Sequence, residues 1–269
     1  MITINGVEVE QNKFPDGTLL LKGSEFDVHE SYSDESYATI EWLFESNEEL
    51  VTLIFAVKHL RSVYCVEHIA LWLPYIPNAR MDRVKSDKEV FTLKYFAEII
   101  NSLNFSSVTV LDPHSYVSEA LIDRLNVWKA DIYATCIIDN ICPDLLFFTD
   151  EGGMKRYANL FEMPYVFGMK QRDWETGNIL GLDVLGQTDK IKGSKILIID
   201  DICSKGGTFY HSATKLKELG AGEIYLYVSH CENTILEGEV LTSGLIEKVF
   251  TTNSIFTKEH EKIEVIKLW

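Results

Sequence analysis

The chain has 269 residues, 46% of them hydrophobic, enough to bury one large domain or two modest ones, and two similar halves are expected. Its 41 acidic residues outnumber 25 basic ones, and a net charge of −16 argues against a nucleic-acid surface, because phosphate backbones are bound by clustered Lys and Arg. An anionic small substrate would need a local group of cations against that field, so the few basic clusters are informative.

No apolar run reaches the length of a membrane span, and MITINGVEVE lacks the basic start and apolar core of a secretory signal. The five cysteines (Cys65, Cys136, Cys142, Cys203 and Cys231) are odd in number and lack metal-type spacing. A soluble protein with reduced thiols in a cytoplasm is expected, with no membrane partner.

Along the chain, Ile2 to Val9 alternates around Asn5-Gly6 and predicts a tight hairpin with a type I′ turn. Phe14-Pro15-Asp16-Gly17 makes a turn, and Leu19 to Leu21 and Ala38 to Phe44 read as strands. Ser46 is expected to cap a helix over Glu48 to Leu60, and His68 to Leu73 to form a buried strand ending at Pro74. Arg80, Arg83, Lys85 and Lys88 then gather in a loop on that strand's C-terminal side, where open α/β sheets bind ligands.

Val108 to Leu111 is the next strand and runs into Asp112-Pro113-His114. Leu145 to Phe148 leads to a glycine turn, Thr149-Asp150-Glu151-Gly152-Gly153. Pro164 to Gly168 is followed at once by Lys170-Gln171-Arg172, and Asp173 to Asp189 reads as a mobile loop that closes on substrate.

The stretch around which the rest is organised is KILIIDDICSKGGTFY, Lys195 to Tyr210. Ile196 to Ile199 suit a buried parallel strand, with Asp200 and Asp201 at its end. Ser204, Lys205, Gly206, Gly207 and Thr208 then enter a helix that stops at Gly220. Such a loop offers backbone N–H groups and hydroxyls to an anion, and the helix dipole adds to the attraction. Paired acids beside a phosphate cradle suit sugar hydroxyls or a hydrated Mg2+. Cys203 reads as packing beneath the loop rather than as a nucleophile. A lone Gly-Gly turn, or two cations on a loop, is by itself equally an ordinary structural feature.

Glu223 to Ser229, Ile246 to Phe250 and Ile263 to Leu268 supply further strands. The alternation of strands and helices predicts an α/β fold. The domain boundary is expected near Trp128 to Thr149, dividing the chain into 1–135 and 136–269.

The two acids with their hydroxyl-and-glycine loop resemble the phosphoribosyl diphosphate (PRPP) motif of type I phosphoribosyltransferases and ribose-phosphate pyrophosphokinases. PYIPNARMDR and the residues after it resemble the latter family's P-Y-x-x-Y-A-R-Q-D-R and E-P-I-T-A-K, with Pro74, Tyr75, Ala79, Arg80, Asp82, Arg83, Glu89, Thr92 and Lys94 at matching places. Phosphoribosyltransferases have no such segment. Asp112-Pro113-His114 resembles the family's D-L-H, Thr149 to Gly153 its P-D-x-G-G, Lys170-Gln171-Arg172 its K-R-R, and Thr251 to Ile255 its T-N-S/T-I.

The resemblance to ribose-phosphate pyrophosphokinases, in family order from Phe14 to Ile255, implies two phosphoribosyltransferase-like α/β domains with mostly parallel sheets, related by pseudo-two-fold symmetry. The active site would lie between them, with a homo-oligomer completing the ATP pocket. It also implies transfer of the β,γ-diphosphate of ATP to the anomeric 1-hydroxyl of a 5-phosphorylated ribose, leaving AMP. On this resemblance Lys170 and Arg172 stabilise the transition state, and Asp200, Asp201, Ser204, Lys205, Gly206, Gly207 and Thr208 hold the ribose phosphate. Phe14, Asp16, Arg80 and Asp82 would meet ATP, and His114 and Asp150 would hold Mg2+.

The chain departs from the family at Thr18, for the glutamate of F-x-D-G-E, and at Met81, for the glutamine of A-R-Q-D-R. Ser204 stands for an acid and Lys205 for a threonine, both raising positive charge beside the 5-phosphate. The chain is also expected to lack a first strand–helix pair and a C-terminal helix. Ribose 5-phosphate and ADP-ribose, the acceptor of a related viral group, are both open. The alternatives are a phosphoribosyltransferase that uses PRPP and a non-catalytic regulatory homologue, which would be expected to lose Lys170 and Arg172.

Overall fold

In a computed structural model, which describes residues 1–22, 29–30, 36–172 and 179–268, the chain divides between Trp128 and Lys129 into two units, each built on its own sheet. The residues 129–135 go with the second unit, ahead of the division expected after 135. They open a helix, Asp131–Ile141, whose Ala134 and Ile137 are buried in that unit's core.

The first unit begins with the expected hairpin. Asn5 and Gly6, at φ 50° and 82°, turn β1 (Ile2–Ile4) back onto β2 (Val7–Glu8). A second hairpin, β3 (Gln11–Lys13) and β4 (Leu19–Leu21), carries the Phe14–Gly17 turn. After β5 (His29–Glu30) come β6 (Ser36–Trp42), β7 (His68–Trp72), β8 (Ser107–Leu111) and β9 (Leu125–Trp128). The last four are parallel and lie side by side in chain order, with β1 antiparallel on β6.

Strands that advance in one direction through right-handed crossovers carry their helices on one face. The helices α1 (Glu49–Val63), α2 (Thr92–Ser102) and α3 (Tyr116–Leu121) make these crossovers. One core accordingly unites Ile40, Trp42, Ile69, Leu71, Val108 and Val110 with Leu53, Leu60, Phe96 and Ile100.

Ser46 does not cap α1. No side chain caps that helix; the carboxylate of Glu49, only 4% exposed, instead ties its start to the chain before it, accepting from Trp42 Nε1 at 2.9 Å and from the backbone N–H groups of Glu45 at 2.9 Å and Ser46 at 3.3 Å, and pairing with the amino terminus. A carboxylate that reaches back has two oxygens and about four acceptor sites, so it can hold several donors at once.

In the second unit the helix named above, now α4, precedes β10 (Leu145–Phe148), α5 (Glu151–Tyr157), β11 (Tyr165–Arg172), β12 (Ile179–Gly186), β13 (Ile196–Cys203), α6 (Gly207–Glu218), β14 (Ile224–Cys231), β15 (Lys248–Thr252) and β16 (Ile263–Ile266). The sheet order is β12-β11-β10-β13-β14-β15-β16, parallel except for β12. From β10 the chain moves outward to β11 and β12, then returns to place β13 on the other side of β10.

That reversal puts helices on both faces. Buried residues of α4 and α5, Ala134, Ile137 and Tyr157, pack with Leu146, Phe148, Leu197 and Ile199. Those of α6, Phe209, Ala213 and Leu216, pack with Leu145, Phe147, Ile196 and Ile198. Gly220, at φ 88°, ends α6 as expected.

Three readings are corrected. Lys170-Gln171-Arg172 continue β11 instead of following it, because β12 extends the ladder alongside them. Much of the loop expected over Asp173 to Asp189 is therefore strand β12, and its residues 173–178 lie outside those described. Asp200 and Asp201 likewise stand inside β13, which pairs with β14 as far as Cys203.

Removing the Glu49 carboxylate leaves several donors without an acceptor, so Glu49→Ala should cost about 2–4 kcal/mol. Glu48→Ala, which loses one exposed pair with Lys13, should cost less than about 1 kcal/mol. Urea denaturation of the two variants checks this, and equal midpoints would remove Glu49 from its anchoring role.

Candidate functional site

The site is built at the reversal, where the C-terminal ends of the parallel strands β10 and β13 lie side by side. Side chains alternate along a strand, so Asp200 and Asp201 leave β13 toward opposite faces. Thr149 follows Phe148, the strand partner of Ile199, and its hydroxyl donates to Asp200 Oδ2 at 2.5 Å. The backbone N–H of Asp201 donates to Asp200 Oδ1 at 3.0 Å. On the other side, Arg156 of α5 brings Nη1 to 3.6 Å from Asp201 Oδ2 and stacks over the Tyr157 ring.

Burial, and secondly the Asp201 charge, push the Asp200 carboxyl well above the usual carboxylate range, and the Thr149 hydroxyl pulls it back. The two acids have different outside partners, Thr149 and Arg156, and the Asp201 side chain is also a hydrogen-bond partner of Asp200.

Beyond β13, Gly206 sits at φ 80°, and a Cβ there would fall 2.2 Å from Val240 Cγ2. Both the backbone angle and the space demand glycine. The loop is backed by Gly238, where a Cβ would fall 1.8 Å from the Lys205 carbonyl oxygen. Gly207 and Thr208 open α6, are exposed, and have no side-chain cap before them, so the first N–H groups of the helix face outward.

Ser204 is half-buried, and Lys205 is exposed and paired with Glu237 at 2.9 Å. That hydrogen bond, and then the Glu237 charge, raise the Lys205 pKa. Cys203 is buried against its strand partner Cys231, and the Cys231 thiol together with burial pushes the Cys203 thiol well up. It packs under the loop and is no nucleophile at neutral pH.

The glycine turn expected at Thr149 to Gly153 is instead the first turn of α5. Asp150 caps it, Oδ1 accepting from the Gly153 N–H at 2.9 Å. Among the described residues nothing bonds its Oδ2, and the residue is exposed. Lys170 and Arg172 are placed by backbone near the end of β11, paired with Leu182 and Ile179 of β12.

In the first unit, Phe14 is half exposed at the tip of the β3–β4 hairpin. Asp16 Oδ1 accepts from the Thr18 N–H at 3.0 Å and the Thr18 hydroxyl at 2.7 Å, and these bonds, the backbone one foremost, lower its pKa. Arg80 is exposed in the loop after β7, and Asp82, half-buried, stands 3.8 Å from Arg83. His114 is half-buried just beyond β8, after Asp112, which takes φ 38° and donates its N–H to the Trp128 carbonyl at 2.7 Å.

Among the described residues no three His, Cys, Asp or Glu side chains gather into a metal cage.

Sequence reasoning missed Thr149, Arg156, Glu237 and Val240, whose roles depend on partners far along the chain. It also missed His230, buried with Nδ1 2.8 Å from Ser254 Oγ. The segment resembling T-N-S/T-I serves this closure, since the Thr252 and Ser254 hydroxyls both donate to the Ser229 carbonyl.

No protein-family model matches the sequence. Among curated proteins, a ribose-phosphate pyrophosphokinase of Thermococcus kodakarensis is 26% identical over 256 residues, 93% of this chain and 87% of that protein. That of Pyrococcus abyssi is 25% identical over 267 residues, 97% and 89%, and that of Bacillus subtilis 27% over 230 residues, 82% and 70%. Among solved structures, phosphoribosylpyrophosphate synthetase from Mycobacterium smegmatis superposes with a TM-score of 0.77 at 18% identity, covering 97% of this chain and 86% of that one. The resemblance read from the motifs is borne out along nearly the whole chain, and the fold is the expected pair of α/β units with mostly parallel sheets.

Placing a side chain at Gly206 strains a left-handed residue by about 1–2 kcal/mol and drives it into Val240. Gly206→Ala should therefore lose the thermal stabilisation that inorganic phosphate confers on the parent. Gly206→Ala with Val240→Ala should recover only part of it. Full phosphate stabilisation in the single variant would refute the cradle.

Proposed function

We propose that this homologue of the ribose-phosphate pyrophosphokinases is a soluble, cytoplasmic transferase that moves the β,γ-diphosphate of ATP onto the anomeric 1-hydroxyl of ribose 5-phosphate, giving PRPP and AMP. The observation that carries the reading is the strand, loop and helix from Ile196 to Glu218, whose glycine-shaped anion cradle stands beside two acids at the reversal of the sheet. Among the described residues no helix is long and apolar enough to cross a membrane.

The loop Ser204–Thr208 encloses the 5-phosphate, and Asp200 and Asp201 accept from the ribose hydroxyls. The 1-hydroxyl oxygen attacks the β-phosphorus of ATP, the bond from that phosphorus to the oxygen of the α-phosphate breaks, AMP leaves with that oxygen, and the hydroxyl proton passes to solvent. Lys170 and Arg172 meet the charge in transit, and Arg80, Asp82, Phe14 and Asp16 bind ATP. Such transfer depends mostly on positioning and charge neutralisation. Bound Mg2+ would neutralise the ATP phosphates, with His114 and the outward oxygen of Asp150 as its protein ligands. Phe14, exposed at its hairpin tip, would meet ATP across a contact between copies in a homo-oligomer.

Lys205 favours ribose 5-phosphate over ADP-ribose. Its charge is already met by Glu237, so the loop gains less positive field for a second phosphate than its composition implies.

Incubation with ATP, Mg2+ and ribose 5-phosphate should form AMP, and a chelator should stop it. AMP from ADP-ribose alone would move the proposal to that acceptor, and pyrophosphate release from PRPP and a base would replace it with a phosphoribosyltransferase. Two cations in a water-poor site each supply several kcal/mol, so Lys170→Ala should lower turnover by at least about a hundredfold with the fold intact. Near-parent turnover would remove Lys170 from the mechanism, and activity in a strict monomer by sedimentation would remove the shared ATP pocket.

A further inference from the structure

In the motif P-D-x-G-G that Thr149 to Gly153 resembles, the first position is a proline, which has no side-chain donor; here it is a threonine. Thr149 is 3% exposed, and its hydroxyl lies 2.5 Å from Asp200 Oδ2, a distance typical of a charge-assisted O–H···O⁻ bond. Its position is also fixed from behind. Gly168 of β11 packs so close that a Cβ there would fall 2.7 Å from the Thr149 carbonyl oxygen and 2.9 Å from Leu182 Cδ1.

A carboxylate offers about four lone-pair sites. In Asp200, Oδ2 takes the Thr149 hydroxyl, Oδ1 takes the Asp201 N–H, and the Asp201 carboxyl is a further side-chain hydrogen-bond partner. A carboxyl held by these partners cannot rotate, so the acceptor capacity left to it has the fixed direction that a furanose hydroxyl requires. Without Thr149 the carboxylate could turn, and its buried oxygen would have no donor.

We propose that Thr149 is a positioning residue for acceptor binding, its hydroxyl at the end of β10 holding the Asp200 carboxylate in the orientation that receives the ribose hydroxyls. The inference rests on the reading of Asp200 as a sugar-binding residue. Thr149 acts through Asp200 and touches neither the transferring phosphates nor ATP.

The test measures ribose 5-phosphate binding by calorimetry without ATP, and KM for each substrate in the AMP assay. Thr149→Val keeps the shape and removes the donor, and Thr149→Ala serves if the valine variant does not fold. Acceptor binding and its KM should weaken by at least about tenfold, with KM for ATP unchanged, and Thr149→Ser should restore both, since loss of a hydrogen bond to a charged group is typically that large. In an Asp200→Asn background the same Thr149 change should have little further effect. Parent-like acceptor binding in Thr149→Val, equal loss of ATP and acceptor, or undiminished loss in the Asp200→Asn background would overturn the proposal. A parent that binds ribose 5-phosphate yet forms no AMP would defeat the transfer reading alone, with the binding comparison still deciding Thr149. A parent that binds no ribose 5-phosphate would defeat the role of Asp200 and this inference together.

Discussion

The second sheet changes direction between β10 and β13, and the chemistry of this unit follows from that reversal. Crossovers leaving the two strands go to opposite faces, so no connection closes over their C-terminal ends, and both strands deliver their next residues to one edge. From β10 come Thr149 and the cap of α5, and from β13 come two acids and the glycine loop. The first unit lacks this arrangement among β6 to β9, which advance in a single direction with one core against one set of helices. Its expected ATP-side residues Arg80, Asp82 and His114 sit instead in the connections that leave β7 and β8.

Three acids at such an edge are costly in a chain of net charge −16, unless each is met locally. Each is met differently. Asp150 accepts from a helix N–H, Asp200 from a hydroxyl and a strand N–H, and Asp201 faces a guanidinium. None of these partners makes the edge cationic as a whole. An anion at this edge is therefore met by the backbone N–H groups of the loop and helix rather than by a surplus of cationic side chains.

The sequence made some of this legible and hid the rest for identifiable reasons. Ile196 to Ile199 and Leu145 to Phe148 are buried on both faces, so their unbroken apolar runs announce central parallel strands. Asn5-Gly6 declares its turn through two positive φ angles that few residue pairs tolerate. The edge strands β9 and β12 are half exposed and mix polar with apolar residues, so no periodicity marks them, and β11 runs on into cations because a neighbour pairs there. Within the site, the order Asp200-Asp201 to Thr208 was plain. The Thr149 hydroxyl and the Arg156 guanidinium become visible only when distant strands and helices meet, and the start of α1 is held by the buried Glu49 carboxylate, with three donors that precede the helix, rather than by a Ser46 cap.

Three of the departures from the motifs this chain resembles share a physical feature. Thr18, where the motif has glutamate, bonds Asp16 within its own turn; Lys205, where it has threonine, pairs with Glu237; Thr149, where it has proline, donates to Asp200. Each of these residues has a polar partner in this chain, Thr18 and Lys205 at exposed positions and Thr149 at a buried one. Two of the three partners are remote in sequence, which requires the backbone around them to be fixed. Close approaches provide that fixity, with Gly168 against the Thr149 carbonyl and Gly238 against that of Lys205 leaving no room for a side chain at either place. The glycines thus set where the altered side chains stand, and the side chains set how the strand-end acid and the loop present themselves to a ligand. The geometry of this strand end and its loop is therefore a property of backbone packing behind them as much as of the groups that line them.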